Sequence, residues 1–182
     1  MKTTEIYNNL IYKTNADNSA RYVLGKYNDN PLVFLGINPS TATINENDNT
    51  VSIVEKIAGK FGYDGYIILN LCPIRATKIS ENFVKKCCEK EMLINLEYVK
   101  SVIENGQNVV AAWGGHITDR DYFLQSLIEI NKVVNSANAK WVCLSKTKYG
   151  HPHHPTRIAY SKMDLMPFDM ESYINMLNKK II

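Results

Sequence analysis

The chain has 182 residues, 45% of them hydrophobic and 21% charged, with a formal net charge of +3. That length suits one domain with a sizeable core, and the slight positive balance permits nucleic-acid contact without announcing it. No apolar run approaches the roughly 18 residues of a membrane span, and the opening MKTTEIYNNLIYK lacks the continuous apolar stretch of a secretory signal.

Arg21 to Tyr27 (RYVLGKY) is expected to be a short edge strand, which Pro31 breaks from a buried strand, Leu32–Ile37. Val51, Val54, Ile57, Ala58 and Phe61 mark one face of a helix that Gly62 can terminate. Gly65 to Leu71 is a second buried strand. Phe83, Val84, Cys87, Cys88, Met92, Leu96, Val99 and Ile103 then recur at helical spacing until Asn105-Gly106. Asn108 to Trp113 is a third strand, and Gly114-Gly115 turns into a helix carrying Phe123, Leu124, Leu127 and Ile128. Lys140 to Leu144 is the fourth. A His- and Pro-rich loop leads to a last amphipathic helix near Asp169–Asn178.

Continuously apolar strands separated by helices long enough to cross over predict a parallel sheet covered on both faces. The expected fold is a single three-layer α/β/α domain over residues 1–182, with a mainly parallel four-stranded central sheet. Neither repeats nor linkers divide the chain. Cys72, Cys87, Cys88 and Cys143 include no C-x-x-C pair, so buried reduced thiols of a cytoplasmic protein are expected rather than a zinc ribbon.

Right-handed crossovers put the four carboxyl ends on one edge, where open α/β sheets bind ligands. That edge collects Gly36–Ser40, Asn70–Thr77, Trp113–His116 and Ser145–Arg157. Asn38 and Asn70 each offer an amide that donates and accepts together, as base reading requires. Asn38 also suits a turn before Pro39, and Asn70 could serve only loop backbone. Gly114 and Gly115 allow close approach, and the helix after them could face a phosphate. Arg75, Lys146, Lys148 and Arg157 supply positive charge for phosphate, although Arg75 also suits a surface ion pair. Trp113 fits the core better than a stacking platform. His151, His153 and His154 suggest metal, but no H-E-x-x-H pattern accompanies them and flanking prolines restrict convergence. No cofactor is called for.

The same groups, in the same order, resemble the uracil-DNA glycosylase superfamily. GINPS (36–40) resembles its water-positioning motif, YIILNL (66–71) its base-reading strand, VVAAWGGH (109–116) its Trp-Gly strand end, and His154-Pro155 its His-Pro motif. At closer range RYVL (21–24), LGINPSTA (35–42), Asp48-Asn49-Thr50, NLCPIRAT (70–77), AAWG (111–114) and the GHPHHP loop resemble a family called domain of unknown function sixteen-forty-three. Two departures are visible. Val51-Ser52-Ile53 stands where that family carries paired arginines, and Thr156-Arg157 replaces the glycosylase Ser-Pro-Leu that would supply a leucine wedge.

The glycosylase resemblance implies hydrolysis of the N-glycosidic bond of a modified or deaminated base, in nucleic acid or a free nucleotide. It implies catalytic roles for Asn38, Asp48 and His154, and base contacts from Gly36, Ile37, Ser40, Asn70 and Trp113. Asp48 also reads as a solvated loop acid among Asn45, Glu46, Asn47 and Asn49. A binding module that keeps the pocket without catalysis is the alternative, and a metal-dependent hydrolase on the His151–His154 loop is a further one.

Overall fold

The computed structural model describes residues 8–39, 48–75 and 81–179, with side chains from residue 89 onward in the last segment. Seven strands form one mixed sheet: β1 (Asn9–Thr14), β2 (Arg21–Tyr27), β3 (Pro31–Gly36), β4 (Gly65–Asn70), β5 (Asn108–Ala111), β6 (Lys140–Cys143) and β7 (Met166–Pro167). Their order across the sheet is β1-β2-β4-β3-β5-β6-β7. β4, β3, β5 and β6 pair in parallel, whereas β1, β2 and β7 join antiparallel at the two edges.

Among the described residues, four α-helices cover the sheet: α1 (Asn49–Lys60), α2 (Glu81–Val102), α3 (Asp121–Ser136) and α4 (Met170–Asn178). Alternate β3 residues serve opposite faces, as the period of two requires. Val33 and Leu35 pack with Val99 of α2, Leu127 of α3 and Tyr173 of α4, while Leu32 and Phe34 pack with Val51, Val54 and Ile57 of α1. Each such side chain contributes ~1.5–3 kcal/mol on full burial.

Three expectations are corrected. Among the described residues the sheet has seven strands where four central strands and the strand Arg21–Tyr27 are expected, because the two edge strands lack the continuous apolar signature. β1 is half exposed, and β7 is two residues long. Arg21–Tyr27 is not an edge strand, since β1 folds back on it through a turn at Asn18 (φ 58°) and hides its outer side. Gly114-Gly115 opens not α3 but a six-residue 3-10 helix, Gly114–Asp119, before Arg120 breaks to extended backbone.

Three carboxylates secure local structure. Asp48 Oδ1 accepts the Val51 N–H (2.8 Å) as the N-cap of α1, and Asp169 Oδ1 accepts the Ser172 N–H (3.0 Å) at α4. Asp64 accepts backbone N–H groups from Asn28, Asp29 and Asn30, pinning the β2–β3 turn. Cys72 and Cys143 are buried, and Cys87 and Cys88 lie outside the described side chains. Among the described residues no helix is long and apolar enough to cross a membrane.

Candidate functional site

The ladder between β3 and β4 runs on past their ends. The Leu71 N–H donates to the Gly36 carbonyl (2.9 Å) and the Cys72 N–H to the Ile37 carbonyl (2.8 Å). The helices then fix the end of β4. Asn95 Nδ2 of α2 donates to the Asn70 carbonyl (2.9 Å), and Ser126 Oγ of α3 donates to the Leu71 carbonyl (2.6 Å). With its backbone so held, Asn70 has a side chain that is 2% exposed, and its Nδ2 has no hydrogen-bond partner among the described residues. Burying an amide donor without a partner costs about 1–3 kcal/mol. Such a group at a strand end is a marker for a ligand.

Asn70 lines a cavity of about 930 Å³ at the carboxyl edge of the central strands. Of the residues singled out from sequence, Gly36, Ile37, Asn38, Asn70, Arg75, Trp113, Gly114, Gly115, His154 and Arg157 line it too. Asn38 Nδ2 makes a long contact with the Pro39 carbonyl (3.4 Å). Gly114 has φ +68°, a left-handed conformation open to glycine at little cost, which brings its backbone beside His154.

Trp113 faces away from any stacking role. Its indole meets Trp141, Phe168 and Tyr173 in the core, and its Nε1 donates to Tyr173 Oη (3.1 Å). Asp48 does not line the cavity and caps α1 instead, while its charge acts on both Arg21 and His154. Lys146 and Lys148 are exposed outside the cavity wall, their ammonium groups lying over the rings of Phe168 and Tyr149. Ser40 lies outside the described residues.

Each histidine of the GHPHHP loop has its own partner. Tyr173 Oη, which receives the Trp113 N–H, is hydrogen-bonded to His151 Nδ1 (2.8 Å). His153 Nδ1 bonds Ser145 Oγ (2.6 Å). His154 Nδ1 accepts the Thr156 N–H (3.3 Å) and lies 2.8 Å from Thr156 Oγ1. An imidazole whose Nδ1 accepts carries its neutral-form proton on Nε2, so His154 keeps a donor for a ligand. Burial pushes the His154 pKa below its ordinary value and Arg157 adds to this, while Asp48 opposes it. Among the described residues no three His, Cys, Asp or Glu side chains converge on a point where a metal ion could sit.

Arg21 and Arg120, absent from the residues picked out by sequence, also line the cavity. Arg21 is 2% exposed, and burial followed by the neighbouring Arg75 holds its pKa down to about 10, still a cation at neutral pH. Its signal was a charge heading a strand whose next residues, Tyr22, Val23 and Leu24, are all buried.

The sequence model of the family described as "Protein of unknown function (DUF1643)" matches residues 21–156. That span takes in every described residue named above as lining the cavity except Arg157. No curated protein and no solved structure matches the chain significantly.

Proposed function

The chain belongs to the DUF1643 family, and from that premise we propose that its cavity recognises a nucleobase and hydrolyses the N-glycosidic bond of a modified or deaminated base. The observation that carries this reading is Asn70: a buried amide, fixed through its backbone by Asn95, with Nδ2 left for a ligand. Together with Oδ1 it offers the donor–acceptor pair that a base edge matches.

In this reading a water oriented by Asn38 bonds to the sugar C1′ as the C1′–N bond breaks and its electrons pass to the base. His154 Nε2–H stabilises the anion that develops there, a donor role that typically supplies about 3–4 kcal/mol. The water's proton leaves to solvent, and Asp48, capping α1 outside the cavity, is the electrostatic partner of His154. The likeness of the motifs at Asn38, Asn70 and His154 to uracil-DNA glycosylases supports the same assignment, and a glycosylase-like arrangement of the central strands belongs to this proposal. A second reading, binding without turnover, draws on Asn38 itself, since an amide cannot accept a proton as a carboxylate does.

The test is incubation with nucleotides and oligonucleotides carrying uracil, hypoxanthine or modified bases, with released base read by mass spectrometry. Release that disappears in Asn38→Ala and Asn70→Ala is the expected result. Saturable binding without release would leave a base-reading module. Neither release nor binding would overturn both readings.

A further inference from the structure

Four arginines, Arg21, Arg75, Arg120 and Arg157, line the cavity, against one carboxylate among the described lining residues, Asp119. Asp119 is itself paired with His116 Nδ1 at 2.9 Å. Two of the arginines rise from a single laced patch of backbone. The Arg21 N–H donates to the Pro73 carbonyl and the Arg75 N–H to the Ser19 carbonyl, each at 2.8 Å, with Ala20 bridging Ile74 between them. Arg75 Nη2 is tethered by donating to Tyr12 Oη at 2.6 Å. Two guanidinium groups held on one cavity wall repel each other, and a dianion between them reverses that cost.

We propose that Arg21 and Arg75 form a subsite for the terminal phosphate of a free nucleotide; the word nucleotide rests on the base reading above, and the phosphate subsite does not. A planar guanidinium matches phosphate oxygens in geometry, and two of them together match the two charges of a monoester. A diester offers one charge and two free oxygens. The cavity, about 930 Å³, falls within the range of about 300–1,000 Å³ that holds a small ligand. The buried Asn70 amide lines the same space.

Calorimetry on the full chain tests this with five probes: the nucleosides of uracil and hypoxanthine, their 5′-monophosphates, the methyl phosphodiesters of those nucleotides, a short single-stranded oligonucleotide, and pyrophosphate. The monophosphates are expected to bind about tenfold or more tightly than the nucleosides and diesters. In Arg75→Gln that advantage should vanish while nucleoside affinity stays, which also shows that the variant is folded. A diester or oligonucleotide that binds as tightly as the monoester overturns the subsite, as does an advantage that survives Arg75→Gln. Pyrophosphate binding that needs Arg75, with no discrimination between bases, supports the subsite and overturns the nucleobase reading. Base discrimination among nucleosides without any gain from phosphate does the reverse.

Discussion

Gly36 and Asn70 stand opposite each other in the β3–β4 register, and a Cβ built on Gly36 would lie 3.0 Å from Asn70 Oδ1. The glycine is therefore the floor on which the amide rests. Its φ is not in the left-handed region, so alanine fits the backbone there, and the cost falls on the amide, which must move by a few tenths of an ångström. Gly36→Ala is expected to weaken binding of a base-bearing ligand about tenfold, with a melting temperature within about 4 °C of the parent. Isothermal titration beside a thermal melt checks this. Unchanged affinity would remove Asn70 from recognition.

Asp48 has two separable jobs, and two substitutions divide them. Asn caps a helix about as well as Asp, whereas Ala in its place costs about 0.5–2 kcal/mol. Asp48→Asn should therefore keep the stability of α1 while losing the negative charge that acts on Arg21 and His154. If the carboxylate serves the reaction as the electrostatic partner of His154, Asp48→Asn lowers turnover in a fully stable protein. Retained turnover in that variant would make Asp48 a cap and nothing more. Denaturant melts and a base-release assay on both variants decide the matter.

What the sequence made legible follows from where the physics is local. β3, β4, β5 and β6 announce themselves because burial on both faces demands unbroken apolar runs, as in Val33-Phe34-Leu35 and Ile67-Ile68-Leu69. β1 gives no such run, since its outer side meets solvent and it needs only β2 as partner. Asn38, Asn70 and His154 are visible because polar residues at strand ends and beside prolines break a pattern. Arg21 escaped because its place in the cavity is set by nonlocal pairing, with Pro73 and Arg75 more than fifty residues away in the chain. The capping role of Asp48 was readable from its position before α1, yet its polar neighbours disguised it as a loop acid.

Trp113, Tyr173 and His151 form a buried hydrogen-bonded line from the segment after β5 through α4 to the histidine loop. Tyr173 is its centre, bonded to the indole N–H on one side and to the imidazole Nδ1 on the other. Tyr173→Phe keeps the ring contacts with Phe168 and Trp113 but strands the indole N–H. The expected loss is about 1–3 kcal/mol, the cost of a buried polar group without its partner. That corresponds to a melting temperature lower by about 2–4 °C for each kcal/mol in a chain of this size. An unchanged melt would mean that the line carries no stability.

Asp64 offers a pH test in the acid range. Burial alone would raise its pKa, but the backbone N–H groups of Asp29, Asn30 and Asn28 hold it below the ordinary value. A carboxylate depressed in the folded state stabilises fully above its unfolded pKa, about 4, and loses that contribution as pH falls through the native value. Asp64→Asn should therefore lower stability at pH 7 and flatten the acid limb below about pH 4. Urea melts at several pH values check the slope, and parallel acid limbs in both proteins would show that Asp64 does not carry it.

His154 should report on its own surroundings. Its pKa is lowered by burial first and by Arg157 second, against the pull of Asp48. Arg157→Gln removes a depressing charge, so the pKa rises; Asp48→Asn removes a supporting one, so it falls further. In the parent protein the ring is neutral at pH 7, with Nδ1 accepting from Thr156 and Nε2 protonated. The depressed value stabilises the fold fully above the unfolded pKa, about 6.5. That contribution is lost as pH falls from there through the native pKa, because the unfolded chain takes up the proton first. Nitrogen-15 NMR of the imidazole across that range measures both the shift and the tautomer. A proton on Nδ1 in the neutral ring would leave Nε2 an acceptor, unable to stabilise an anionic leaving base, and the assignment of His154 in the proposed reaction would fall with it.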